Sequence, residues 1–455
     1  ENSDPVKMEL YQEYVFKFTN SYDSIIRVFE KGFTKYYALK YETRIVGSEE
    51  VGKSLKRNEV LIEYSISDTS LISFLITRDK FMVRRECIDS TFWLSVNSLQ
   101  TSLMNSDFSN NIEQEYVRLL NSSNKLYKHL IGPFEDYIKK KQLIVVPDGA
   151  LAYLPFEILL SNNPGIKKVE FHTLPYLLKS NPINYSYSAT LLLNEKAAGR
   201  FSKTKLLAFA PKYLNASLLG NKSEGFLRSE FGGLNPLPFS RQEVETIMEL
   251  SRGTILIDEE ATETQFKEMA PHFDILHLAM HTLIDNVEPM YSKLAFTYSE
   301  MDTLNDGFLN INELYNLQLN AKLAVLSSCN SGSGKLQKGE GIMSIARGFM
   351  YAGCPSVVMT LWEVEDKSGS EIMEKFYRYL KKGHSKNRAL RNAKLEFLEE
   401  ANLLKSHPYF WSAYITLGDN SPVYAALWPG KIVPVFFILL LTFLFIWSKK
   451  NRKSV

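Results

Sequence analysis

The sequence predicts an α/β protein built on a mostly parallel sheet flanked by helices. Three observations carry that prediction. Short apolar runs recur in the second half of the chain: KLLAFA (205–210), DILHLAM (274–280), LAVLSS (323–328) and SVVMTLW (356–362). Helix-like stretches at Arg241–Leu250, Glu340–Tyr351, Asp366–Lys381 and Asn387–Ala401 alternate with them. Strands that are apolar throughout and separated by helices belong to a sheet covered on both faces, reached by crossover connections. In the first half, VLIEYSI and LISFLIT read as paired strands around the polar turn Ser67–Thr69. A helical stretch near Glu113–Lys140 follows, and then the strand QLIVV, stopped by Pro147-Asp148-Gly149.

A chain of 455 residues exceeds one small core. Residues 1–57 read as a helical lead-in, and the pattern changes to strands from Val60. The formal net charge of +2 gives no push toward nucleic acid. Three cysteines, Cys87, Cys329 and Cys354, make neither an even disulfide framework nor a C-x-x-C zinc site. No cofactor motif is found either. Because the chain starts at Glu1, a longer or processed protein is expected.

One stretch has membrane character. Ile432–Trp447 (IVPVFFILLLTFLFIW) is uncharged, bracketed by Trp428 and Trp447, and followed by Lys449, Lys450, Arg452 and Lys453. Sixteen helical residues reach only about 24 Å. Reading back to Ala425 with Lys431 snorkelling lengthens the segment enough to span. The expectation is a single transmembrane helix at 425–448 with a basic tail at 449–455. The positive-inside rule puts that tail in the cytoplasm and the folded domain outside.

In open parallel sheets, reactive groups gather at the carboxyl ends of strands. DILHLAM runs into His281 and LAVLSS runs into Cys329. A cysteine nucleophile needs a neighbouring base, and the 48 residues between them match the separation of about 50 seen in caspases. The small residues Asn330–Gly334 suit a loop that admits substrate to a backbone oxyanion site. Other motifs fail. His277 and His281, four apart on a strand, would stand roughly 13 Å apart, too far to share a metal. Ser333-Gly334-Lys335 lacks the remaining residues of a phosphate loop. Asp302, Asp306, Gly307 and Glu313 match a calcium loop except where Leu304 stands.

Seven segments together resemble the CHAT-domain peptidases, caspase-like relatives of separase, from about Val60 to Gly418. They are VVPDGALAYLPFEIL (145–159), LHLAMHT (276–282), DGFLNINELYNLQL (306–319), LAVLSSCNSGSG (323–334), GEGIMSIARGFMYAGCPSVVMTLWEVED (339–366), ALRNAKLEFL (389–398) and HPYFWSAYITLGD (407–419). The resemblance implies a caspase-like fold in two halves, residues 58–200 without a dyad and residues 201–420 with it, and a cysteine endopeptidase acting on protein substrates. It puts the catalytic histidine at His281, the nucleophile at Cys329 and the oxyanion-binding N–H groups at Thr282 and Cys329. It also implies tetratricopeptide repeats before the peptidase and an activating partner that they sense.

The family has Gly where Thr282 stands. A β-branched residue is costly there if the backbone needs a positive φ, and that departure supports an alternative: an inactive CHAT-type signalling or scaffold module. The loop carrying Trp362, Glu363, Glu365 and Asp366 is expected to bind substrate, its carboxylates favouring Arg or Lys before the cut. The competing expectation is that Asp366 caps the helix starting at Lys367.

Overall fold

The computed structural model describes residues 5–32, 45–104, 111–165, 168–194, 204–213, 234–299, 301–302, 304–327, 335–337 and 341–425. Their strands are β1 (Glu59–Ile66), β2 (Ser70–Ile76), β3 (Phe81–Cys87), β4 (Gln142–Val146), β5 (Ile183–Tyr185), β6 (Leu206–Pro211), β7 (Gly253–Asp258) and β8 (Ile275–Leu278). There follow β9 (Thr282–Leu283), β10 (Lys293–Ala295), β11 (Phe308–Asn310), β12 (Leu323–Leu326), β13 (Lys335–Gln337), β14 (Gly341–Met343), β15 (Ser356–Thr360) and β16 (Tyr414–Gly418). The longer helices are α1 (Pro5–Gly32), α2 (Ser48–Ser54), α3 (Ser90–Met104), α4 (Ile112–Leu130), α5 (Ser240–Leu250), α6 (Glu263–Met269), α7 (Ile345–Tyr351), α8 (Asp366–Lys381) and α9 (Lys386–Glu400).

Eleven strands form one sheet in the order β3-β2-β1-β4-β5-β16-β15-β12-β8-β6-β7. All pairings are parallel except β3 with β2, β2 with β1, and β16 with β15. The predicted mostly parallel, helix-flanked sheet is therefore observed. Its central strands β4, β6, β8, β12 and β15 are buried along their whole length, as their mostly apolar sequences require. A second sheet, β11-β10-β9, stands beyond the end of β8. It turns the chain back directly after His281.

Strands from 58–200 and from 201–420 meet in that sheet where β5 pairs with β16. Buried polar groups fasten the seam. Asn184 Nδ2 donates to the Gly418 carbonyl at 2.8 Å, and Asn387 Nδ2 donates to Gln142 Oε1 at 3.2 Å. Beside them the fully buried Lys386 ammonium contacts the Asp419 carbonyl oxygen at 2.8 Å and its carboxylate at 3.1 Å. Burial pulls the Lys386 pKa down, and Asp419 opposes that pull.

Two expectations change. The helix expected over Glu340–Tyr351 begins only at Ile345, because Ser344 caps it by accepting from the Arg347 N–H, and Gly341–Met343 is extended in β14. The single-pass membrane placement is withdrawn. Among the described residues no helix is long and apolar enough to cross a membrane. The two longest, α1 and α4, carry charges along their length, such as Lys17, Asp23 and Arg27, or Glu115, Arg118 and Lys125. A span needs about twenty nearly uninterrupted apolar residues. Apart from Ala425, the expected segment 425–448 lies outside the described residues. Val423 and Tyr424, which lead toward it, pack into the core.

Replacing Asp419 by Ala strands the buried Lys386 charge. Urea unfolding should report a loss of about 3 kcal/mol; a loss below about 0.5 kcal/mol would show that the backbone carbonyl alone suffices for that ammonium.

Candidate active site

The site grows from two adjacent strand ends. β8 and β12 are parallel neighbours in the register Ile275 with Leu323 through Leu278 with Leu326. His281 is three residues beyond Leu278, and Cys329 three residues beyond Leu326. The pairing offset of 48 residues is thus the same as the spacing of His281 and Cys329 in the sequence. Cys329, with the rest of 328–334, lies outside the described residues; Ser327 is the last described residue of that strand end.

His281 is held on three sides. Its backbone N–H donates to the Tyr213 hydroxyl at 3.0 Å, and that hydroxyl donates to the Ala295 carbonyl at 2.6 Å. Its own carbonyl accepts from the Ala295 N–H at 3.0 Å. The Tyr213 ring lies against the imidazole, centroids 4.7 Å apart. Nε2 is 2.6 Å from the Asn235 carbonyl oxygen. A carbonyl only accepts, so Nε2 carries the hydrogen and Nδ1 keeps the lone pair a general base needs. Sequence reasoning missed both Tyr213 and Asn235. Tyr213 follows the carboxyl end of β6, the same kind of position that pointed to His281. Asn235 acts through its main chain and leaves no residue-type signal.

Thr282 opens β9 opposite Leu294. The flanking pair, His281 and Ala295, exchanges hydrogen bonds directly and through Tyr213. Alternation along an antiparallel ladder therefore turns the Thr282 N–H away from β10. Thr282 is not among the residues at positive φ. Strain from its β-branched side chain, the concern raised by the sequence, does not arise.

Beside the two strand ends is a cavity of about 280 Å³. Met280 and Ser327, each just before the dyad segments, form part of its wall, with Thr360 from the end of β15. Glu363, Glu365 and Asp366 line it, and so does Glu243 of α5, which sequence reasoning did not single out. Asp366 does not cap its helix. The N-cap residue is Glu365, whose carboxylate accepts from the Ser368 hydroxyl, whereas Asp366 Oδ2 accepts from the Phe239 N–H at 2.7 Å. Burial pushes the Asp366 carboxyl above the usual carboxylate range; the bond from the Phe239 N–H opposes that rise, and Glu243 adds to it. Trp362 is buried, its indole N–H donating to the carbonyl of Tyr409, a residue of the cavity wall. Gly369 keeps that wall close, because a Cβ there would come within 2.8 Å of the Tyr414 hydroxyl.

The remaining motifs have structural roles. In the calcium-like loop the cation is supplied by the protein itself: Lys267 Nζ stands 2.6 Å from Glu263, 2.9 Å from Glu313 and 2.7 Å from Asn305. Gly307, at φ 85°, takes the left-handed turn that brings its N–H to Glu263 at 3.0 Å. His277 points into the core, toward Glu243 and Tyr377. Cys354 is buried with its thiol 3.2 Å from the Ser356 carbonyl, and Cys87 is exposed on an outer strand.

The CHAT domain family matches residues 120–419. The chain belongs to the CHAT domain family. Tetratricopeptide repeat protein 28 of Mus musculus is 25% identical over 346 residues, covering 65% of this chain and 13% of that relative; its Homo sapiens counterpart is 24% identical with the same coverage. The chain thus spans about an eighth of the length of these relatives. Among solved structures, the Saccharomyces cerevisiae separase–securin complex gives a TM-score of 0.47 at 10% identity, covering 81% of this chain and 30% of that one.

Two outcomes follow from the site as built. A carboxyl whose folded pKa is raised holds its proton longer folded than unfolded, so stability falls as pH rises through that window. Asp366→Asn removes the effect: its midpoint in urea should exceed the parent's at pH 7, with the gap closing below pH 4. An equal gap at both pH values would exclude Asp366 as its source. Tyr213→Phe leaves the His281 N–H and the Ala295 carbonyl without their shared hydroxyl and should cost about 1–3 kcal/mol. No change in unfolding free energy would mean that the bridge is dispensable.

Proposed function

We propose that this CHAT domain is a cysteine endopeptidase in which Cys329 is the nucleophile and His281 its general base. The observation that carries the reading is the register of β8 against β12, together with an imidazole whose Nε2 is already committed to Asn235. In the proposed reaction, Nδ1 of His281 takes the Cys329 thiol proton and the thiolate attacks a peptide carbonyl. The oxyanion is received by the N–H groups of Thr282 and Cys329. His281 then protonates the leaving amine as the C–N bond breaks, and water hydrolyses the thioester, restoring the thiol. Residues 58–200 would form the non-catalytic half, 201–420 the catalytic half.

The acidic cavity supports a preference for a basic residue before the cut, with Glu365 and Asp366 at its rim and Trp362 behind it. The relatives' name carries tetratricopeptide repeats, which supports activation through a protein partner. An inactive scaffold is the rival reading, and the extended backbone of Thr282 takes away its main argument.

A peptidyl acyloxymethyl ketone tests the nucleophile without the natural substrate. Mass spectrometry should place one adduct on Cys329, Cys329→Ala should give none, and His281→Ala should slow labelling by about a hundredfold or more. Equal labelling of the parent and Cys329→Ala would exclude Cys329 as the nucleophile.

A further inference from the structure

β3 is an end strand of the large sheet, and among the described residues no strand or main-chain hydrogen bond covers its outer edge. Its register with β2 runs without a bulge from Phe81 opposite Ile76 to Cys87 opposite Ser70, and it contains neither proline nor glycine. A regular edge of this kind is a template for a further strand.

The ends of the β2–β3 ladder show which groups remain for that strand. The Ile88 N–H donates to the Thr69 carbonyl at 3.0 Å, and the Thr77 N–H donates to the Lys80 carbonyl at 2.8 Å. Hydrogen-bonded pairs alternate along an antiparallel ladder, so Met82, Arg84 and Glu86 turn their N–H and C=O groups toward β2. Phe81, Val83, Arg85 and Cys87 turn theirs outward. Their side chains share one face of the sheet and are exposed, Phe81 at 51% and Val83 at 54%.

A second copy of β3, brought in antiparallel about a two-fold axis, must set outward residues against outward residues. The axis then passes between a residue and its own copy. At Arg84 or Arg85 it would oppose like charges, which is destabilising. At Val83 no like charges meet. Phe81 faces the guanidinium of Arg85 from the second copy, Met82 faces Arg84, and Lys80 faces Glu86. Phe81 and Val83 of both copies then form one apolar strip, continued by Phe74, which stands opposite Val83 on β2. Axes farther along leave less than half of β3 paired.

We propose that β3 pairs with β3 of a second copy of this chain, antiparallel about a two-fold axis at Val83, so that one sheet runs through both copies. The pairing uses nothing from the β8 and β12 ends and stands apart from the endopeptidase reading.

Sedimentation velocity and cysteine cross-linking of the whole chain test it. At about 10 μM the parent should sediment as a dimer. Val83→Lys, which sets two ammonium groups against each other, should raise the dissociation constant about tenfold or more with the urea midpoint unchanged. In a Cys87→Ser background, Val83→Cys should form a disulfide-linked dimer on mild oxidation, because Cα atoms of a hydrogen-bonded pair stand about 5.5 Å apart. Arg85→Cys in the same background should not, since its two copies would be roughly 13 Å apart. Cys87→Ser alone is the blank, and this comparison does not depend on Val83→Lys folding. A parent that stays monomeric, a dimer indifferent to Val83→Lys, or cross-linking at position 85 equal to that at 83 would overturn the proposal.

Discussion

The parallel pairing of β8 with β12 is the constraint on which the candidate site depends. Two short, wholly buried strands leave no freedom of register, because a one-residue slip would move every side chain to the opposite face of the sheet. Once Leu278 is fixed beside Leu326, the two chains leave the sheet from adjacent positions, at Ala279 and Ser327. The second small sheet then fixes the direction taken on the β8 side. β9 pairs back on β10 immediately after His281, so the histidine sits at a corner and not within a mobile loop.

Polar groups buried behind this corner act at a second level. The Tyr213 hydroxyl joins β6 to the His281 corner and completes a ladder position that the two strands could not close alone. Lys267 gathers Glu263, Glu313 and Asn305 and fixes the loop that leads into β11, the outer strand of the same small sheet. Each arrangement neutralises or satisfies groups that would be costly unpaired in a dry setting. Asp366 departs from that pattern: burial raises its carboxyl despite the hydrogen bond it accepts from the Phe239 N–H.

Much of the fold was legible in the sequence because its strongest signal, apolar runs alternating with amphipathic helices, comes from burial on both sheet faces. KLLAFA, DILHLAM, LAVLSS and SVVMTLW each contain a strand of the central sheet. What escaped was short or mixed in character. β7 (GTILID) lies at the sheet edge, half-exposed, and β16 (YITLG) is the antiparallel exception beside β15. Ile183–Tyr185 is too short for periodicity. His281 could be found because strand ends are informative positions. Glu243 could not: on the sequence it is one acid of a polar helix face, and only packing against β8 brings it to the cavity. Asn235 contributes a main-chain carbonyl, to which residue type is blind.

The strand-end residues and the acids of the cavity wall lie on different kinds of element, and this division has a consequence. His281 and Thr282 are placed by strands and by the small sheet, whose geometry tolerates little change. Glu243 and Asp366 project from the first turns of α5 and α8, which pack on each other and on the sheet through separate side chains. A substitution at either helix position alters the charge and depth of the cavity without moving a strand. A substitution at Leu278 or Leu326 would shift the corner itself. The same scaffold can therefore change the charge of its cavity far more readily than the position of its strand ends, because the acids stand on two helix starts and the strand ends on a register that the whole core enforces.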